Sequence, residues 1–332
     1  MNKQSKYKAF RVEEKDGNYI SSIKEIPFTP LEKGELLIKV HYSSLNYKDA
    51  LSSIGNKGVT RNYPHTPGVD AAGTIVSSES NKFKVSDQVI VTSYDLGMNT
   101  DGGFAQYVKV PEDWVVKLPE NLTLKEAMTI GTAGLTAGMS VLRLSELVKP
   151  EDGPIIVSGA TGGVGSLSIT ILKKLGYKTV AITGKESEIE FLKKLGADEI
   201  MMRKEVEAMD KKPLLKSSFA GGIDTVGGVI LENIIKSTHP MGVVTCCGNV
   251  ASPKLDLTVF PFILRGVTLI GIDSQNYPMT YREKVWNKLS KEWKNDQLTE
   301  AADEVSLNEL NEKIALILKG KLKGRTLVTL EV

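Results

Sequence analysis

Residues 155–175, IIVSGATGGVGSLSITILKKL, constrain the fold and use of this chain more than any other stretch. The apolar run Ile155–Ser158 reads as a short strand, and a helix-patterned segment runs on to Leu175. Between them lie Gly159, Gly162, Gly163 and Gly165. Gly159 permits a tight exit from the strand. Gly162 omits the Cβ that would hold the backbone off a pyrophosphate, and Gly165 lets the helix pack on the sheet. The free N–H groups and positive end of that helix suit a diphosphate. Strand, turn and helix stand in the order that a dinucleotide site requires.

The alternation continues beyond the turn: KTVAIT, a helix over 186–195, DEIMM, GIDTVG, a helix over 229–238, GVVTCCG and VTLIGID. This pattern predicts a doubly wound parallel sheet with helices on both faces. From Tyr7 to about Pro119 the texture is β-rich, with short apolar or alternating runs broken by Gly, Pro, Asn and Asp. Helical periodicity and small residues take over near Leu124. After Asp273, helices near Tyr281–Trp293 and Leu307–Leu318 and a strand over Thr326–Val332 are expected to return to the first domain.

Several function classes are excluded early. With 332 residues and a net charge of +2, the chain has room for two domains and no charge excess for nucleic acid or a membrane surface. No apolar run approaches the roughly 18 residues of a membrane span. The start, MNKQSKYKAFRVEEKDG, has no following apolar region or small-residue cleavage site, so a cytoplasmic protein is expected. Cys246 and Cys247 are adjacent on one strand, point to opposite faces and read as half-buried thiols.

The second strand of the alternating part discriminates between cofactors. NAD sites place an acid at its tip, about 20 residues beyond the Gly turn, to bind both ribose hydroxyls. Here the tip reads Thr183-Gly184-Lys185, and a lysine suits a 2′-phosphate that an acid would repel. Glu186 and Glu188 follow where a helix begins, a place the helix dipole explains. NADPH is the expected cofactor.

Four further segments stand in order around the turn. They are Pro64-x-x-Pro67-Gly68-x-Asp70-x-x-Gly73-x-x-Val76, Gly102-Gly103-Phe104-Ala105-x-Tyr107, Gly131-Thr132-Ala133-Gly134-Leu135-Thr136-Ala137 and Gly324-Arg325-Thr326-Leu327-Val328. With them, and with Ser44–Leu51, Pro261–Arg265 and Gly271–Ser274, the chain resembles the medium-chain dehydrogenase/reductase superfamily. Within it, the likeness is to the zinc-free acryloyl-CoA reductase and quinone oxidoreductase branch. The resemblance implies a GroES-like catalytic domain over 1–126, a Rossmann NADPH-binding domain over 127–273 and a return to the catalytic domain over 274–332.

It also implies site residues. Tyr47 would lie at the nicotinamide end of the cofactor, where its phenol could bind the carboxamide or an enolate. Cofactor contacts would fall on Thr161, Gly162, Gly163, Val164, Thr183, Gly184, Lys185, Arg203, Asn249, Ile263 and Ser274. Lys185 replaces the Arg usual in this branch, a point charge in place of a planar fork. Gly320 stands where an Asn is expected. Tyr63 is a weaker candidate than Tyr47, and Asn46 and Asp49 could serve either structure or the site.

Zinc is not expected. Ser44-Leu-Asn46 replaces the first Cys region of zinc-dependent relatives, Gly68-Val-Asp70 stands where a Gly-His-Glu would lie, and His41, His65 and His239 share no ligand spacing. Without that polariser, hydride reduction of an activated C=C bond is the natural reaction. The developing oxygen charge then needs preorganised donors. Acryloyl-CoA or an enone is the expected substrate. Quinone reduction is the enzymatic alternative, and a non-catalytic NADPH sensor or RNA-binding protein the alternative of another class. The apolar, β-prone run Val267–Asp273, last in the parallel sheet, predicts an edge covered by a second copy in a homodimer.

Overall fold

The computed structural model describes residues 5–294 and 302–330. The chain divides into two compact units. Among the described residues the first unit holds 5–132, 275–290 and 302–330, and the second holds 133–274 and 291–294.

The first unit opens with a hairpin of β1 (Lys6–Lys15) and β2 (Asn18–Pro27). Asp16 and Gly17 turn it with φ of 51° and 76°, the left-handed pair that a two-residue hairpin demands. There follow β3 (Glu35–Ser44), α1 (Tyr47–Ser53), β4 (Asp70–Ser78), β5 (Gln88–Thr92), β6 (Tyr107–Pro111) and β7 (Val115–Lys117). Helix α2 (Leu124–Ser145) leaves this unit and enters the next.

In the second unit, β8 (Ile155–Val157), α3 (Gly163–Lys174), β9 (Thr179–Thr183), α4 (Ile189–Lys194) and β10 (Glu199–Met202) alternate. They are followed by α5 (Arg203–Glu207), β11 (Phe219–Asp224), α6 (Gly228–Lys236), β12 (Thr238–Cys246), α7 (Phe260–Arg265) and β13 (Thr268–Gly271). The chain then returns to the first unit with α8 (Met279–Ser290), β14 (Ala302–Val305), α9 (Leu310–Leu318) and β15 (Arg325–Thr329).

Two sheets carry the architecture. In the first unit the order is β14-β15-β3-β4-β5-β7, with β6 also on β3. The run ELLIKVHYSS of β3 buries Leu36, Ile38 and Val40, and β15 pairs antiparallel with its end through Leu327↔Ser44. The C-terminal strand thus lies in the sheet of the first unit. In the second unit the order is β10-β9-β8-β11-β12-β13, every pair parallel. Every residue of β9 and β11 is buried, as a sheet covered on both faces requires. Strand order reverses between β8 and β11, and at such a reversal the carboxyl ends of neighbouring strands open a crevice.

This is the doubly wound sheet that the alternation predicts, and β13 stands at its edge. Two predicted helices are shorter than their pattern: Glu186–Glu188 and Leu307–Glu309 are 3₁₀ turns that lead into α4 and α9. Among the described residues no helix is long and apolar enough to cross a membrane.

Candidate active site

The glycine turn has the backbone its spacing implies. Gly159 has φ of 56°, and a Cβ there would strike the Thr225 hydroxyl. Gly162 donates its N–H to the Gly159 carbonyl at 2.9 Å and is the N-cap of α3. It is exposed, and a Cβ on it would meet only the Gly159 oxygen at 3.3 Å, so its outer side is open to a close approach. A Cβ on Gly165 would collide with that same carbonyl, the contact that seats α3 on its sheet. No side chain caps α3, which leaves its first-turn N–H groups, those of Gly163 and Val164 among them, without helical acceptors. Thr161 is buried beneath the turn.

The next strand ends bring together three of the residues named from the sequence. Met202 of β10 pairs with Thr183 of β9, so Arg203 begins α5 beside the exit of β9. The Thr183 hydroxyl accepts the Lys185 N–H at 3.0 Å and shapes that exit. A Cβ on Gly184 would lie 3.5 Å from Arg203 Nε and 3.6 Å from its Cζ, ordinary packing distances that show the guanidinium lying against this turn. Arg203 thus lies against Gly184, with Lys185 next in the chain, and the two cations stand at one strand exit. Asn249 follows β12 and Ser274 follows β13, at the same carboxyl edge of the sheet. Ile263 differs in kind: it rides on α7 and is 67% exposed.

Sequence reasoning passed over Asp224, at the end of β11 beside the reversal. Its Oδ1 accepts the Ser158 hydroxyl at 2.6 Å, and its Oδ2 accepts the N–H of Gly227 at 2.7 Å and of Val226 at 3.2 Å. Burial raises its pKa against those hydrogen bonds. Cys246 and Cys247 lie next to it as free, half-buried thiols. Burial pushes Cys247 up to about 12, and its thiol donates to the Asp224 carbonyl at 3.4 Å.

In the first unit, Tyr47 is the first residue of α1, 37% exposed, and its hydroxyl has no hydrogen-bond partner among the described residues. Its backbone is held through Asn46, which binds the fully buried carboxylates of Asp49 and Asp70. Asp49 Oδ2 accepts the Asn46 N–H at 2.7 Å, and Asp49 Oδ1 accepts the Val69 N–H at 2.9 Å. Burial, and secondarily the charge of Asp70, pushes the Asp49 carboxyl up to about 7. Asn46 donates to Asp70 Oδ2 at 2.7 Å and accepts from Arg325 Nη1 at 3.2 Å.

Asp70 is also saturated by the Ser44 hydroxyl at 2.6 Å, the Thr132 hydroxyl at 2.7 Å and the Thr132 N–H at 2.9 Å. Arg325 completes the cluster by donating to the Thr129 carbonyl at 2.9 Å and to the Ser44 hydroxyl at 2.7 Å. Gly131 makes room for it: with φ of 51° it breaks the helical path of α2, and a Cβ there would sit 2.6 Å from Asp70 Oδ2. Asn46 and Asp49, open between two roles in the sequence, are thus bound to each other across Tyr47, and Asn46 to Asp70 as well. The Tyr63 hydroxyl is already spent on the Ser52 carbonyl at 2.6 Å, and its ring packs edge-on against Tyr19.

A β-rich unit closed by its own C-terminal strand, and a glycine turn on a reversing parallel sheet, define the class. The chain belongs to the medium-chain dehydrogenase/reductase superfamily, in the acrylyl-CoA reductase branch. Residues 32–120 match the family model for the alcohol dehydrogenase GroES-like domain, and residues 163–291 the model for zinc-binding dehydrogenases. The acrylyl-CoA reductase AcuI of Ruegeria pomeroyi is 38% identical over 95% of this chain and 96% of its own. The crystal structure of the yhdH oxidoreductase of Salmonella enterica, in complex with NADP, is 39% identical and covers 98% of this chain and 100% of its own, with a TM-score of 0.94. That of Bacillus subtilis protein yhfP, with NAD bound, is 43% identical over 98% of this chain and 100% of its own, with a TM-score of 0.95.

Proposed function

We propose that this protein is an NADPH-dependent reductase of activated C=C bonds, with an acryloyl-CoA-type enoyl thioester as substrate. Bound NADPH supplies the hydride for the β-carbon. The Gly162–Val164 turn and the start of α3 hold its diphosphate, while Lys185 and Arg203 take the 2′-phosphate. The observation that carries the cofactor preference is the pair of cations at the exit of β9, where an NAD site would place a carboxylate. AcuI and the NADP-bound yhdH relative support the same reading.

The Tyr47 hydroxyl serves as hydrogen-bond donor to the oxygen on which charge collects as the double bond is reduced. Such a donor acts only if it is already in place and unspent. Tyr47 meets both conditions: its hydroxyl is free among the described residues, and Asn46, tied to the buried Asp70 and Arg325, fixes its backbone.

The residues do not fit the zinc of the family's description. Asp70 is consumed by donors from Ser44, Asn46 and Thr132, and Ser44 itself donates to it. Among the described residues no set of three or more His, Cys, Asp and Glu could hold a metal ion. We therefore infer zinc-independent chemistry. We also infer a homodimer across β13, whose outer edge lies in a unit that exposes Met241, Ile263 and Leu264.

The test is the rate of NADPH oxidation with acryloyl-CoA, crotonyl-CoA and 1,4-benzoquinone side by side. Turnover of an enoyl-CoA well above that of the quinone supports the reading, and the reverse order replaces it with quinone reduction.

A further inference from the structure

Of the cations on and around the segment that leaves α1, three are already engaged. Arg11 pairs with Asp101 and donates to the Pro64 carbonyl. Lys48 donates to Gln275 at 3.2 Å. Lys57 binds Glu14 at 2.9 Å and lies 4.9 Å from the centre of the Tyr63 ring. Arg61 is the exception: it is exposed, and its guanidinium makes no hydrogen bond or ion pair among the described residues.

Its backbone, by contrast, is held on both sides. The Arg61 N–H donates to Asn99 Oδ1 at 3.2 Å, and its carbonyl accepts from Lys57 Nζ at 3.3 Å. The preceding residue, Thr60, is fully buried, with its hydroxyl 2.7 Å from that of Ser52 on α1. The Tyr63 hydroxyl, two residues on, is bound to Ser52 as well. An unpaired guanidinium is thus presented from a loop clamped to the last turn of the helix that begins with Tyr47.

We propose that Arg61 receives a phosphate of the coenzyme A moiety and so sets a preference for CoA thioesters over enones and quinones. This rests on the enoyl-thioester reading above. From Tyr47 to Ser52 the helix rises about 1.5 Å per residue, roughly 7–8 Å in all. The Arg61 loop is tied to that end of the helix through Thr60 and Tyr63, which both meet Ser52. The extended pantetheine arm spans about 15 Å at ordinary bond lengths, long enough to run from a thioester at Tyr47 past the end of α1 to which the Arg61 loop is tied. Guanidinium is the side chain best shaped to grip phosphate oxygens in pairs, and neither an enone nor a quinone carries a phosphate.

The test combines binding and kinetics on the full-length enzyme. Calorimetry would measure coenzyme A, 3′-dephospho-CoA and pantetheine against wild type, Arg61→Ala and Arg61→Lys, with thermal melting as the folding control. Arg61→Ala should weaken coenzyme A by about ten- to hundred-fold and leave pantetheine within about twofold, with Arg61→Lys in between. If dephospho-CoA keeps the full sensitivity to Arg61, the diphosphate is the group held; if it loses it, the 3′-phosphate is. Equal effects on coenzyme A and pantetheine, or none on either, would overturn the proposal while acryloyl-CoA turnover by wild type still upheld the reductase reading. Arg61-dependent binding of coenzyme A without acryloyl-CoA turnover would keep this assignment and remove the proposed reaction.

Discussion

Replacing Arg325 with methionine keeps a side chain of similar length in the first unit but removes the buried cation from its cluster. Four donor contacts disappear: to Thr129, Ser44, Asn46 and the Leu45 carbonyl. Asp70, with an oxygen 3.8 Å from the guanidinium, then lies buried without a cation, as does Asp49. Breaking a buried pair by removing one partner costs about 3–5 kcal/mol. At roughly 2–4 °C per kcal/mol for a unit of this size, the melting temperature of Arg325→Met should fall by about 6–20 °C.

The pH dependence is the sharper signature. Asp49 titrates at about 7 in the fold, against an ordinary value of 3.8, so the folded protein holds that proton more tightly than the unfolded chain. Its contribution to stability is therefore complete below about pH 4 and is lost as pH rises towards about 7. Without Arg325 the charged form of Asp49 is opposed still more, and that window extends upward. The deficit of Arg325→Met should thus be largest near pH 8.5 and shrink towards pH 5.5. Thermal melting by circular dichroism across that range measures it. A deficit under about 1 kcal/mol, or one constant with pH, would refute the electrostatic account of the cluster.

Other outcomes are expected. Tyr47→Phe should lower turnover of an enoyl thioester by about 10²–10³, the scale of a lost oxyanion donor, with an unchanged melt; wild-type kinetics would remove Tyr47 from the site. Arg203→Ala should weaken NADPH by roughly ten- to hundred-fold and leave NADH nearly untouched, read by fluorescence titration of both. Activity should survive long dialysis against a chelator, and loss restored by added zinc would reverse the zinc-free reading. Light scattering at micromolar concentration should report a dimer, and a monomer would refute pairing across β13.

What the sequence made legible is what repeats locally. Each strand of the second unit is a compact apolar run, and the longer helices α3 and α6 carry their own period, so β8 to β13 could be placed from residue order. The need for Gly165 follows from the turn, because its constraint comes from Gly159 and Ala160 a few residues away, whereas the Thr225 hydroxyl that crowds Gly159 arrives from the end of β11. Helices α5 and α7 span only one to two turns, too short for a period to show. The cluster around Asp70 was illegible for another reason. Ser44, Asp70, Thr132 and Arg325 come from far-apart segments, and each reads alone as an ordinary polar residue. Only the pairing of β15 with β3 brings Arg325 beneath Asn46. Arg203 is the intermediate case: its sequence context is plain surface charge, and register with Thr183 sets it at the exit of β9.

The two thiols beside Asp224 turn the second unit into its own stopwatch. With Cys247 pushed up to about 12, only on the order of 10⁻⁵ of it is thiolate at neutral pH, and burial raises Cys246 as well. Alkylating reagents attack thiolates, so Cys247 should react very slowly in the native protein until the end of β12 lifts away from β11 and β13. Modification of Cys247 with time in dilute iodoacetamide, read by peptide mass, would then count openings of that part of the sheet with no substitution introduced. The same chemistry shields this neighbouring pair from casual oxidation for as long as the strand stays seated.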